Sequence, residues 1–240
     1  MIVSMSMGLR YSVIIPAYNE AKSIARAIAE THAEFSRFGE PFEIIVVDDG
    51  SRDETCAAVE NAREEFPNVL LIRHERNQGK GAAVKTGVAT AQGDIFLFLD
   101  ADLATHPSEF AQCIPLFATN DIVIGSRRKK GSEIVESQPW HRVLAGRTFN
   151  AMIRGYLGLP FLDTQCGFKA FTASAKPLFA ELGTNGWVFD VELLGQAMKR
   201  GMRIVEVPVA WKNGPESRVK LGDAGNIIRE LRAVKRRLRG

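Results

Sequence analysis

Short, unbroken apolar runs recur along the first part of the chain, each followed by a turn signal and then by a stretch with helical spacing. Residues 11–15 form the first run and stop at Pro16; residues 43–47 form the second and end in Asp48 and Asp49. Residues 69–73 and 95–99 follow, the latter ending in Asp100-Ala101-Asp102. Runs of this length with no polar alternation are the pattern of strands buried on both faces. Between them, residues 21–35, 55–66 and 81–91 carry helical periodicity, with Asn19 a candidate cap and Glu20 favourable in the first turn. Strands separated by helices imply right-handed crossovers, so the pattern predicts an α/β fold with one mostly parallel sheet flanked by helices. The C-terminal ends of the first, second and fourth strands then share a rim, where Glu20, Asp48, Asp100 and Asp102 converge.

The second half is less regular. Residues 121–125 form a further strand that delivers Arg127 to the same rim. Residues 142–159 are amphipathic, with Arg147, Asn150 and Arg154 expected on one face and Leu144, Phe149, Met152, Ile153 and Tyr156 on the other. That apolar face can pack on the domain, dip into a bilayer surface, or dock on another copy of the chain. A turn-rich stretch at 163–171 leads into a strand, residues 187–194 open a helix with Asp190 near its start, and 205–211 form a last strand. A polar loop over 212–220 carries Lys212, Arg218 and Lys220.

Composition narrows the class. With 240 residues, 45% hydrophobic and 25% charged, the chain has the make-up of a globular domain. The expected organisation is a disordered start at 1–10, one domain over 11–222, and a basic amphipathic helix over 223–240. The net charge of +3 is concentrated in that last segment, where Arg229, Arg232, Lys235, Arg236, Arg237 and Arg239 face only Glu230. Ile227, Ile228, Leu231, Val234 and Leu238 form an apolar stripe among these cations, which suits either a docked helix or one lying on an anionic membrane. No aromatics interleave with the cations, which argues against nucleic acid. Cys56, Cys113 and Cys166 lack the spacing of a disulfide framework or zinc site, and no run approaches the roughly 20 apolar residues of a membrane span. A reducing, cytoplasmic setting is expected.

Candidate chemistry sits at the turns. Two carboxylates one residue apart at a strand end are hard oxygen donors suited to a divalent cation that already carries phosphates, although a solvated turn has the same residues. Asn77-Gln78-Gly79-Lys80-Gly81 lacks the glycine and hydroxyl residue of a Walker A loop and the third glycine of a dinucleotide fingerprint. It reads as a flexible turn into a helix that places Lys80 near the crevice.

Taken in order, Pro16-Ala17-Tyr18-Asn19-Glu20, Val46-Val47-Asp48-Asp49-Gly50-Ser51, the 77–81 loop, Asp100-Ala101-Asp102, Gly125-Ser126-Arg127 and Val207-Pro208-Val209-Ala210-Trp211 make a specific set. This set resembles the inverting glycosyltransferases of family 2 with the GT-A fold, and within them the polyprenyl-phosphate (dolichyl-phosphate) sugar synthases. Residues 163–169 and 187–194 most resemble the dolichyl-phosphate glucosyltransferase branch.

The resemblance implies that Pro16, Tyr18, Glu20, Val46 and Asp48 hold the base and ribose of a nucleotide-sugar donor, UDP-glucose or alternatively GDP-mannose. It places Asp100 and Ala101 beside the ribose and diphosphate, with Asp102, joined by Asp100, at Mg2+ or Mn2+. Lys212 and Arg218 match cations that close over the diphosphate, and Arg127 and Arg142 match positions facing the phosphate of a polyprenyl or dolichyl phosphate acceptor. Ala104 departs from relatives with a side-chain metal ligand there, and the C-terminal membrane helices of some members are missing, so attachment to the inner membrane face is expected to be peripheral. A phosphomonoester has a second pKa of about 6 and is mostly a dianion near neutrality, so it needs positioning by arginines and no general base. A hydroxyl acceptor would need one, and Asp190 is the candidate.

Overall fold

The computed structural model describes residues 10–135, 140–212 and 224–239. Strands β1 (Tyr11–Ala17), β2 (Phe42–Asp48), β3 (Val69–Arg73) and β4 (Ile95–Leu99) alternate with helices α1 (Ile24–Ser36), α2 (Thr55–Glu65) and α3 (Lys80–Thr90). There follow β5 (Ile122–Ser126), β6 (Glu133–Ile134), α4 (Trp140–Leu157), β7 (Phe168–Thr172), α5 (Lys176–Glu181), α6 (Phe189–Lys199), β8 (Ile204–Pro208), β9 (Ala210–Trp211) and α7 (Ala224–Arg239). The main sheet has the order β3-β2-β1-β4-β7-β5-β8, and β6 pairs with β9 in a small second ribbon. Every pairing in the main sheet is parallel except those of β7, which runs antiparallel between β4 and β5. That reversal matters for the site: the loop entering β7 arrives at the rim where the parallel strands end.

Apolar residues on successive positions of one strand feed two cores. Val13, Ile15, Ile44, Val46 and Leu97 face α1 and Phe110, whereas Ile14, Ile45, Val47, Phe96 and Phe98 face α3, α5 and α6. Burial on both faces is why the strands read as continuous apolar runs. On one side Tyr11, Phe35, Phe38 and Phe110 form an aromatic cluster, with Phe35 stacked on Phe110 at 5.1 Å. On the other, Phe96 stacks on its antiparallel partner Phe171 at 5.2 Å.

Several expectations are corrected. The first strand runs through Pro16: the β1–β4 pairing ends at Ile14↔Phe98, while β1–β2 continues to Ala17↔Asp48. Pro16 therefore sits where β1 has a partner on one side only, and its missing N–H costs no ladder bond. Asn19 is not a helix cap. It takes a left-handed φ of 55°, which Asn tolerates, and its Oδ1 accepts from Arg52 N while α1 begins only at Ile24. The last strand breaks at Val209 into β8, in the main sheet, and β9, paired with β6.

The faces of α4 also differ from expectation. Asn150 and Ile153 are buried, and Leu157 packs on the core beside them, whereas Met152 and Tyr156 point outward. Asn150 faces inward because its amide is consumed there: Nδ2 donates to Leu162 O and Oδ1 accepts from Thr164 Oγ1. Helix α7 docks on α6. Ile227, Leu231 and Val234 are buried, Leu238 packs against Gly195, and Arg237 pairs with Glu192, but Ile228 is half exposed and leaves the expected stripe.

Candidate active site

The rim is built by carboxylates that fasten loops to one another. Asp48 ends β2 fully buried; its Oδ1 accepts from Ser51 N at 3.1 Å and its Oδ2 from the Cys56 thiol at 3.0 Å. These bonds use two of a carboxylate's roughly four acceptor positions. Burial and the neighbouring Asp48 push the Cys56 thiol up to about 11, so it serves as a donor. Next to it, Asp49 accepts from Gln78 N at 2.9 Å and Gly79 N at 2.8 Å, with His74 Nδ1 at 2.7 Å. Asp49 thus clamps the 77–81 loop. Gly50 makes the approach possible, since it has φ of +73° and a Cβ there would lie 2.6 Å from the Arg76 backbone. Tyr18 is half-buried at the same edge, and Glu20 is buried with its N–H donating to Thr55 Oγ1 at 2.7 Å.

The clamped loop opens α3 and presents Lys80, whose Nζ lies 2.5 Å from Asp100 Oδ1. Burial works against the Lys80 charge, but Asp100, Asp190 and Asp102 outweigh it and raise its pKa. Beyond β4 the chain turns tightly, with Leu103 N donating to Asp100 O and Ala104 N to Asp102 Oδ1 at 3.0 Å. Ala101 is buried inside this turn. Burial, reinforced by Asp100, raises the Asp102 carboxyl pKa against the opposing pull of the Ala104 N–H and Lys80. Gly167, in the loop entering β7, lies against the turn so closely that a Cβ would fall 1.9 Å from Asp100 Oδ2. Lys212 joins from the far side through its N–H on Ala104 O at 2.8 Å.

At the end of β5, Arg127 is held by Asp163: Nε to Oδ2 at 2.6 Å, Nη2 to Oδ1 at 2.9 Å, and the backbone N–H to Oδ2 at 3.1 Å. The guanidinium carbon lies 5.5 Å from the centre of the Trp211 ring. Burial pushes the Asp163 carboxyl up, but the Arg127 hydrogen bonds and charge outweigh it and hold it down at about 2. Asp163 is positioned in turn by Glu206, whose carboxylate accepts from the Leu162 and Asp163 N–H groups at 2.9 Å.

Asp190 lies beneath this surface. It is buried in the first turn of α6, with Lys169 Nζ 2.9 Å from Oδ1 in an ion pair without hydrogen-bond alignment. Burial raises its pKa against the opposing pull of Lys169 and Lys80. Lys169 is fully buried in β7 and donates to Cys166 O at 2.6 Å. A charged file thus runs from the Asp100–Asp102 turn through Lys80 to Asp190 and Lys169.

The residues present fit a divalent cation that carries phosphate. Asp100 and Asp102 are hard oxygen donors on one turn, with Lys80 already beside Asp100, and among the described residues no group of three or more His, Cys, Asp or Glu is placed to hold a metal alone. Two carboxylates completed by phosphate and water oxygens suit Mg2+ or Mn2+.

The structure thus brings Tyr18, Glu20, Asp48, Asp100, Ala101, Asp102, Arg127 and Lys212 to one rim. Val46, expected at the base and ribose, is fully buried in β2 and paired to both Ile15 and Leu71. Pro16 is likewise buried beneath the edge. Arg218 lies outside the described residues, and Arg142 falls within α4 with its side chain outside the description. Asp49, Asp163 and Lys169 are missed by residue-by-residue reading. The doubled carboxylate of Asp48-Asp49, whose members must face opposite ways at a strand end, was the available signal for Asp49.

A mostly parallel sheet with acidic turns and cations at its carboxyl rim, the edge where such sheets take ligands, makes this an α/β domain of the GT-A type. The chain belongs to glycosyl transferase family 2, whose model matches residues 12–176. It is 38% identical over 223 residues to a dolichyl-phosphate beta-glucosyltransferase of Trichomonas vaginalis, covering 87% of this chain and 65% of that protein. It is 34% identical to the Drosophila melanogaster dolichyl-phosphate beta-glucosyltransferase, covering 86% and 68%, and 32% identical to the human one, covering 83% and 66%. The chain therefore spans about two thirds of the length of these relatives. Among solved structures, glucosyl-3-phosphoglycerate synthase from Mycobacterium tuberculosis in complex with UDP has the same fold, with a TM-score of 0.66 at 22% identity, covering 96% of this chain and 80% of that one. The same enzyme in complex with Mn2+, UDP-glucose and phosphoglyceric acid gives 0.67 at 22% identity, covering 96% and 79%.

Proposed function

We propose that this protein transfers glucose from UDP-glucose to the phosphate of a dolichyl or other polyprenyl phosphate, with inversion at the anomeric carbon. The observation that carries the reading is the pairing, on one rim, of the Asp100–Asp102 turn beside Lys80 with a separate fixed cation, Arg127 on Asp163. One half suits a nucleoside diphosphate and the other a second phosphate. The names of the relatives and the UDP-glucose and Mn2+ bound by the mycobacterial enzyme support the choice of donor, acceptor and metal.

In this reading Tyr18, Glu20 and Asp48 flank the base and ribose. Asp100 and Asp102 would hold Mg2+ or Mn2+, which when bound offsets the charge developing on the departing diphosphate in place of a protonating side chain. Lys80, Lys212 and Arg218 add positive charge along the diphosphate. Arg127 and Arg142 orient the lipid phosphate, already a nucleophile near neutrality, and Asp163 holds Arg127 in place. Asp190 has a supporting task here, keeping Lys80 and Lys169 in register under the sugar site. Binding of UDP-glucose measured by calorimetry tests the donor half: Mn2+ is expected to tighten it at least tenfold in the wild type and not in Asp102→Asn. Equal tightening in both would remove Asp102 from the metal.

A further inference from the structure

Helices α4 and α7 meet outside the rim in an open groove of about 660 Å³, lined by Tyr156 and Ile228 and by Arg229, Arg232, Lys235 and Arg236. Among the described residues no carboxylate lines it. Ile228, Arg232, Lys235 and Arg239 recur along one stripe of α7, and the opposite stripe, with Ile227, Leu231 and Val234, is already spent on docking to the domain. The helix therefore has an inner apolar face that is buried and an outer face that mixes cations with exposed apolar groups. Lys235 lies 3.7 Å from the centre of the Tyr156 ring, which ties the two helices together at the groove, and Met152 stands exposed one turn earlier on α4.

We propose that this groove is the face by which the protein lies on a bilayer carrying anionic phospholipids. Cations at the headgroup level with isolated Ile, Met and Tyr side chains reaching deeper match an anionic bilayer in both charge and polarity. The position supports the same occupant, and here the inference rests on the lipid-phosphate reading above. Helix α4 is bonded through Asn150 to Leu162 and Thr164, either side of the Asp163 that holds Arg127, and Arg128 Nη2 donates to Gly146 O on the same helix. A membrane against α4 and α7 thus lies beside the acceptor half of the rim, where a lipid phosphate would enter.

Co-sedimentation of the full chain with vesicles tests this. Wild type is expected to bind vesicles of phosphatidylcholine with phosphatidylglycerol, to bind pure phosphatidylcholine vesicles far less, and to be released near 1 M salt, where the Debye length is about 3 Å. Each basic residue near an anionic surface contributes about fivefold to partitioning, so Arg232→Gln with Arg236→Gln is expected to weaken it on the order of 25-fold. Both positions are exposed and take no part in docking α7, and circular dichroism checks that the variant folds. Transfer to a short, detergent-dispersed polyprenyl phosphate is expected to be unchanged in the variant. Equal binding to both vesicle types, or unchanged binding by the variant, overturns the membrane face and leaves the transferase reading standing. Loss of transfer to the dispersed acceptor would instead place these arginines at the substrate and overturn the inference from the other side.

Discussion

Arg127 and Asp163, 36 residues apart in the chain, meet as a bidentate pair, with Nε 2.6 Å from Oδ2 and Nη2 2.9 Å from Oδ1. Asp163 is buried and Arg127 is partly open, so the pair works as an anchored cation at the surface of the site. An arginine fixed on one edge keeps its charge directed without reorganising when an anion arrives.

Removing the anchor's charge separates its two tasks. Asp163→Asn is expected to raise the KM for the lipid phosphate at least tenfold while leaving the affinity for UDP-glucose unchanged, and to lower stability by about 3 kcal/mol because Arg127 loses a buried partner. Steady-state kinetics with each substrate varied in turn, together with urea unfolding, measure both effects. A change in donor affinity alone would contradict the assignment.

The same pair predicts a pH dependence. Folding lowers the Asp163 pKa from about 3.9 to about 2, so the native state binds fewer protons than the unfolded chain. Its contribution, on the order of 2 kcal/mol, is fully present above the unfolded value and is lost as pH falls through the folded one. The stability difference between wild type and Asp163→Asn, measured by urea unfolding, should therefore shrink between about pH 4 and pH 2, and a gap that stays constant over that range would contradict the coupling.

Asp49 spends both carboxylate oxygens on the loop that leads to Lys80, and so sets where Lys80 stands. Asp49→Ala removes the acceptor of the Gln78 and Gly79 N–H groups and leaves His74 with Thr86 alone. The expected result is a stability loss of about 2 kcal/mol and a KM for UDP-glucose raised roughly tenfold, from a loop that no longer holds its place. Unchanged donor kinetics in a destabilised protein would confine Asp49 to the fold.

What could be read ahead of the structure follows from which interactions are local. The central strands were legible because burial on both faces leaves an unbroken apolar run, and the Asp100-Ala101-Asp102 turn because its three residues are neighbours. The direction of β7 was not legible, since no local pattern separates a parallel from an antiparallel strand in a buried sheet, and with it went the reason that Gly167 and Asp163 reach the rim. Pro16 misled because its tolerance depends on β4 pairing with β1 only as far as Ile14. Asn150 misled on α4 because a polar residue is taken for a solvent-facing one until its partners, Leu162 O and Thr164 Oγ1, are seen. The docked side of α7 was half legible: the periodicity of Ile227, Leu231 and Val234 was plain, but Glu192, which receives Arg237, is remote in sequence.

Glu192 offers a test of that docking. It accepts from Gly183 N, Thr184 N, Thr184 Oγ1 and the Arg237 guanidinium, so Glu192→Ala strips one carboxylate from two elements at once. An expected loss of about 3 kcal/mol in urea unfolding, with faster amide exchange in α7 than in β4, would show that the helix is held from the domain. Unaltered exchange in α7 would show that its apolar stripe suffices.

Glycolipid formation by the purified protein is the decisive test of glucose transfer from UDP-glucose to a lipid phosphate. UDP-glucose, UDP-N-acetylglucosamine and GDP-mannose are each supplied with Mn2+ or Mg2+, with and without a short polyprenyl phosphate. Glycolipid product is expected from UDP-glucose alone, and only when the lipid phosphate and the metal are both present. Product from GDP-mannose instead, or glucose transfer to a hydroxyl acceptor with none to the lipid phosphate, would contradict it.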